Sequence, residues 1–198
     1  MKEAIRCFCE NQIEFEFSDM VVLSDEVIES ILCGDFMSVT CTFCGRVLKP
    51  EFPVHLESKD NKYSLFFIPE NKRNQYLAGN ISVHPAITRV VIGYHELVEK
   101  ITIFKNNLDD RVIETIKYYF LEKAREEVTI SIFLHEIGKS DLVFHIHGLK
   151  QKEIGITKIN RSLYEKISKE IDKKEGQSPY SQFLSPPYVS IQNITLEG

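Results

Sequence analysis

Cys41-Thr42-Phe43-Cys44-Gly45 is the stretch that decides the reading of this chain. Two cysteines separated by two residues point both sulfurs inward from one tight turn. A glycine directly after the second lets the backbone reverse without a Cβ clash while amide N–H groups face the sulfurs. Cys7-Phe8-Cys9 supplies the two further thiols that a tetrahedral site needs. A Cys-x-Cys pair in extended backbone sends both side chains to one face. Together Cys7, Cys9, Cys41 and Cys44 predict a structural Zn²⁺ site of four thiolates, closed across 31 intervening residues by a hairpin and a short helix.

The flanking segments read as β. Ile13, Phe15 and Phe17 alternate with Gln12, Glu14, Glu16 and Ser18, the period-2 signature of a half-buried strand. Ser24 before Asp25 and Glu26 is an N-cap with two acids at the positive helix end, and Val27, Ile28, Ile31 and Leu32 form an apolar stripe that stops at Gly34. Cys33 falls within that stripe and is expected to pack. Arg46 to Leu56 and Tyr63 to Ile68 read as further strands around the turn-rich Ser58-Lys59-Asp60-Asn61. Residues 1–80 are therefore expected to form a zinc-ribbon-like antiparallel β-unit.

From Tyr94 the period changes to 3.6. Leu97, Val98, Ile101 and Phe104 share one helical face; after Asn106-Asn107, so do Val112, Ile113, Ile116, Phe120 and Ala124, which predicts an αα-hairpin over 94–127. The remainder, 128–198, is β again and then helical. Val128 to Ile137 and Leu142 to Leu149 flank Gly138-Lys139-Ser140-Asp141, Glu153 to Ile159 adds a strand, and Asn160 caps a helix carrying Leu163, Ile167 and Ile171 that ends at Gly176. Residues 177–188, with three prolines and three serines, read as an irregular linker or tail. The fold class is α+β, and the chain carries no internal repeat.

Of the 198 residues, 43% are apolar, enough for a substantial core. No apolar h-region follows the N-terminus and no run of about 18 apolar residues occurs, so neither a signal peptide nor a membrane span is expected and the cytosol is the default compartment. Five cysteines in such a chain favour reduced thiols or a metal over disulfides. Residues 1–80 hold 8 Lys and Arg against 13 Asp and Glu, while 81–198 hold 16 of each. The cysteine-bearing part is thus acidic, a poor electrostatic match for nucleic acid.

The N-terminal cysteine pair, Ile31-Leu32-Cys33-Gly34-Asp35-Phe36, Thr40-Cys41-Thr42-Phe43-Cys44-Gly45, Tyr63-Ser64-Leu65-Phe66-Phe67-Ile68-Pro69, Gly93-Tyr94-His95-Glu96-Leu97-Val98-Glu99-Lys100-Ile101 and Leu108-Asp109-Asp110-Arg111 form a series of motifs over roughly residues 5–127. In this series the chain resembles the bacterial CpXC domain. The resemblance implies a cytoplasmic zinc-binding domain with a variable C-terminal extension, Cys7 and Cys9 standing on the family's first cysteine pair and Cys41 and Cys44 on its second. The family's first pair is typically Cys-Pro-x-Cys, where this chain has Cys-x-Cys.

Other constellations compete for a function. His95-Glu96-Leu97-Val98-Glu99 opens like a zincin helix but has Glu99 where the second histidine is required, and its charges are expected on a solvated face. His145-Ile146-His147 puts two imidazoles on one strand face, with His135 across the hairpin. A two-residue turn at Lys139-Ser140 pairs Ile137 with Leu142, His145 with Leu134 and His147 with Ile132, which splits His135 from the other two; a one-residue shift would bring it opposite His145. Lys150, Lys152, Lys158, Arg161, Lys166, Lys169, Lys173 and Lys174 are interleaved with acids and read as a mixed surface. The expectation is a zinc-binding structural or interaction protein with a protein partner. The alternatives are a metal-dependent enzyme using His135, His145 and His147 or a cleft between the two regions, and a nucleic-acid binder.

Overall fold

Alternation of apolar and acidic residues makes the first element a hairpin. In the computed structural model, which describes residues 1–60, 62–123 and 130–194, β1 (Lys2–Arg6) and β2 (Gln12–Glu16) pair antiparallel, and Ile13 and Phe15 turn inward while Gln12, Glu14 and Glu16 face solvent. The chain divides into two compact units, Met1–Thr102 and Ile103–Gly198; the boundary expected at residue 127 lies outside the described residues.

In the first unit β3 (Met20–Leu23) leads into α1 (Asp25–Cys33), whose ends follow the cap residues. The Ser24 hydroxyl accepts from the Val27 N–H, and Gly34 closes the helix at φ 80°, the left-handed conformation that favours glycine. A second hairpin, β4 (Val39–Thr40) with β5 (Val47–Leu48), follows. The long strand expected over 46–56 is interrupted because Pro50 and Pro53 cannot donate to a ladder, so β6 begins only at Val54 and runs to Ser58. Phe52, between those prolines, stacks on Phe17 at 4.3 Å and on Phe15 at 5.8 Å, fixing the segment to β2 and the residue after it.

The main sheet of this unit is mixed, which corrects the expected antiparallel arrangement. Its order is β3, β6, β7 (Ser64–Ile68), β8 (Arg89–Ile92); β6 and β7 are antiparallel, but β3 runs parallel to β6 and β7 to β8. Parallel neighbours require crossovers. One crossover contains α1 and the second cysteine hairpin; the other contains α2 (Arg73–Leu77). At the start of α3 (Gly93–Lys105), Gly93 sits at φ 73°, where a Cβ would run into the Glu70 carboxylate.

In the second unit α4 (Asp110–Lys123) and the sheet β9 (Ser131–Ile137), β10 (Asp141–Lys150), β11 (Glu153–Asn160) enclose one core that includes Ile113, Ile116, Ile132, Leu134, Phe144 and Phe183. Of the expected αα-hairpin, both helical segments are present at 93–105 and 110–123, and Ala124 lies outside the described residues. Asn160 caps as expected, its Oδ1 accepting from Ser162 N–H, but the helix breaks into α5 (Arg161–Ser168) and α6 (Ile171–Glu175), with Ile167 and Ile171 both buried.

The segment read as a linker is core instead. α7 (Tyr180–Leu184) buries Phe183 and Leu184 completely, and Tyr188, Val189 and Ile191 are also buried, because these five apolar side chains outweigh the turn-forming prolines and serines around them. Glu114, itself buried, accepts from the Lys117 ammonium at 2.8 Å and from the Ile191 N–H at 2.8 Å, so the polar groups brought inside are paired. Among the described residues no helix is long and apolar enough to cross a membrane.

Candidate metal centre

Each cysteine pair occupies the tip of a hairpin: Cys7–Asn11 joins β1 to β2, and Cys41–Arg46 joins β4 to β5. In the second turn Cys41 N–H donates to the Arg46 carbonyl at 2.8 Å, Gly45 N–H donates to the Cys41 carbonyl at 2.9 Å, and Gly45 takes φ 72°. The first turn closes in the same way with one residue fewer. Cys7 N–H donates to the Asn11 carbonyl at 2.9 Å, Glu10 N–H donates to the Cys7 carbonyl at 2.8 Å, and Glu10 takes φ 70°. This corrects the expectation of extended backbone at Cys7-Phe8-Cys9: the shortened spacing is accommodated in a tight turn because Glu10 adopts the left-handed conformation that glycine supplies in the other.

The four sulfurs converge. All lie within 4.8 Å of one another, with Cys7 Sγ 3.6 Å from Cys44 Sγ and Cys9 Sγ 3.7 Å from Cys41 Sγ. Thiolates at about 2.3 Å from a tetrahedral zinc stand roughly 3.8 Å apart, so the two short separations match the edges of such a site. The thiols are free, and the four cysteines are positioned to bind a metal ion. Cys7 and Cys41 are buried among Ile13 and Leu48, while Cys9 is half-buried and Cys44 exposed.

Backbone N–H groups, burial and neighbouring thiols set Cys41 and Cys9 apart. The N–H of Cys44 foremost, then that of Phe43, faces the Cys41 sulfur and holds its thiol at about 6 despite burial. The Asn11 N–H lowers the Cys9 thiol, but burial and the three neighbouring thiols outweigh it and push that group up to about 12. Asn11 also points its Nδ2 at Cys41 Sγ, 3.7 Å away. Asn11 and Glu10 escaped the sequence reading; the signal for both was the polar pair directly after Cys9, where a turn must close. Outside the site, the Arg46 guanidinium lies 5.0 Å above the Phe8 ring, and Phe8 and Phe43 are 81% and 79% exposed at the two tips.

The family model for "CpXC protein" matches residues 5–117. This chain belongs to the CpXC family. A curated relative of this CpXC chain, an uncharacterized protein of Treponema pallidum (strain Nichols), is 25% identical over 213 residues, covering 96% of this chain and 97% of its own. No solved structure matches the chain.

The remaining candidates of this CpXC protein fall elsewhere. Cys33 is exposed, its thiol 3.5 Å from Glu29 Oε1, which corrects its expected packing role: at the last position of α1 it rotates past the buried face that Ile31 occupies. On α3, Glu96 accepts from Arg73 Nη1 and from the Ile92 N–H, both at 2.9 Å, and so serves the helix start. Glu99 and Lys100 are buried rather than on the solvated face expected of them.

The histidine hairpin departs from its expected register. Leu142 pairs with Ile137, but after Val143–Glu136 a bulge intervenes and Phe144 pairs with Leu134, His145 with Phe133 and His147 with Ser131. The cause lies in the core: Ile130, Ile132 and Leu134 alternate inward and Ile137 is out of phase by one residue, so the strand slips at His135 to keep all four against the same cluster. His135 is thereby turned outward onto His145, with ring centroids 3.6 Å apart.

Proposed function

We propose that this protein binds one structural Zn²⁺ through Cys7, Cys9, Cys41 and Cys44, and that the ion fixes the two cysteine hairpins as a rigid platform for a protein partner in the cytoplasm. The observation that carries the reading is the convergence of four free thiols from two hairpins at tetrahedral edge lengths. Four thiolates fill the coordination sphere of zinc and leave no open position to activate water, so the role that follows is architectural. Two phenylalanines exposed at the turn tips support a docking function, since aromatic side chains are enriched where surfaces are later covered. The acidic balance of residues 1–80 weighs against nucleic acid.

Elemental analysis of protein purified without added metal tests this. One zinc per chain, lost in Cys41→Ser, is the expected result. Metal-free protein that melts like the Cys41→Ser variant would show that the four thiols hold no ion and remove the platform.

A further inference from the structure

The outward face of the β9–β10–β11 sheet gathers three of the six histidines in the chain. His145 and His147 occupy alternate positions of β10 and share that face, and the bulge turns His135 onto it. His135 and His145 stack with ring centroids 3.6 Å apart and planes 17° apart; His147 lies 6.5 Å from His145, edge-on, and its ring rests 5.9 Å from Phe133. His135 and His147 are exposed and His145 is half-buried. Opposite them on β11, Ile156 pairs with His145 and Ile154 with His147, both more than half exposed, so one side of the group is walled by hydrocarbon.

The bulge itself is explained by core phasing, but phasing would turn out whatever residue stood at 135. Its being a histidine, delivered against a His-x-His pair, points to a ligand set. Imidazole ligates through the in-plane lone pair of a ring nitrogen. An ion bound by imidazole lies in the plane of each ligand ring at about 2.1 Å from its nitrogen, so the stacked His135 and His145 rings, with planes 17° apart, and the His147 ring beside them must rotate about their side-chain torsions to converge on one ion.

We propose that His135, His145 and His147 form a second metal site, a three-imidazole surface chelate for a borderline divalent cation such as Ni²⁺, Cu²⁺ or Zn²⁺, independent of the cysteine centre. Imidazole nitrogens suit these ions, whereas Mg²⁺ and Ca²⁺ prefer oxygen. Water completes the coordination sphere on the solvent side.

The test uses full-length protein with its cysteines saturated with zinc and excess metal removed, titrated calorimetrically with Ni²⁺. One Ni²⁺ per chain is expected. His135→Gln, His145→Gln and His147→Gln should each weaken it by at least roughly tenfold, the loss that even an outer-shell partner commonly carries. His84→Gln should leave it unchanged, and the zinc content should be the same in all four variants. Electron paramagnetic resonance of the Cu²⁺-loaded protein should show coupling to more than two nitrogens. Absence of Ni²⁺ binding overturns the proposal, and so does binding that survives His135→Gln undiminished, which would reduce the site to an ordinary two-histidine contact. Because zinc content reports on the cysteines and Ni²⁺ on the histidines, the two sites fail separately.

Discussion

The two cysteine turns do the same geometric work with different residues. Cys41–Arg46 has the full Cys-x-x-Cys-Gly spacing, and its left-handed position is filled by Gly45, which has open space where a Cβ would stand. Cys7–Asn11 is one residue shorter and puts Glu10 at the same dihedral. The hydrogen bonds that close the turns correspond one for one. A hairpin tip can therefore lose a residue between its two sulfurs and still present them, provided the position after the second cysteine tolerates positive φ. The second turn also carries the amide groups that lower the Cys41 thiol, whereas the first holds the thiol that resists ionisation.

The largest expected effect separates buried from exposed sulfur. Cys41→Ser should abolish metal binding and lower the melting temperature on the order of 10 °C or more, because binding energy in such sites is folding energy. Cys44→Ser, at an exposed position, should lose the metal with a smaller drop. Equal drops in differential scanning calorimetry would show that the turns contribute alike.

Acid should release the metal. Cys41 gives up its proton near 6 and Cys9 only near 12, so at neutral pH binding must displace at least the Cys9 proton, and affinity should fall about tenfold or more for each unit of pH lost. In the metal-free protein the depressed Cys41 value contributes stability that is complete above the ordinary thiol range and is lost as pH falls through about 6. The raised Cys9 value acts in the opposite sense, removing stability as pH rises past the ordinary thiol range. Chelator competition between pH 6 and 8 measures the first effect; a flat profile would mean that no thiol proton is displaced.

The two left-handed positions should respond in opposite directions. Gly45→Ala meets no steric obstacle, so its cost of about 1 to 2 kcal/mol comes from φ alone. Glu10→Gly should stabilise the protein by less than about 1 kcal/mol, the relief at φ 70° being partly offset by the entropy that glycine loses on folding. Chemical denaturation resolves both, and a destabilised Glu10→Gly would show that the glutamate side chain matters to the turn. The smallest effect is expected at Cys33→Ala, within about 0.5 kcal/mol, since the thiol is exposed.

Where one residue type dominates local physics, the sequence was a good guide. Ser24, Gly34 and Asn160 mark helix ends that the structure places at those residues, and the spacing of cysteines anticipated the sulfurs that converge. Parallel pairing of β3 with β6 was invisible because strand direction is set by crossovers, not by alternation. The tail over 177–188 misled because prolines and serines advertise turns while Phe183, Leu184 and Tyr188 supply the burial. The bulge at His135 was legible in principle, as the phase slip between Leu134 and Ile137, but a register counted outward from the turn passes over it.

The crossover from β3 to β6 has a consequence for the rate at which this fold is reached. These strands can join only after the chain between them has been gathered, and loop closure of that kind is the slow step in topologies rich in distant pairings. The β4–β5 hairpin lies inside that crossover, and the β1–β2 hairpin precedes β3. An ion grasped early by both tips would tie the middle of the crossover back to the segment before β3 and shorten the search. Metal would then act as a kinetic template as well as a clamp, and refolding from denaturant should proceed faster with zinc than with chelator, by a factor that grows as the hairpins are made more stable on their own.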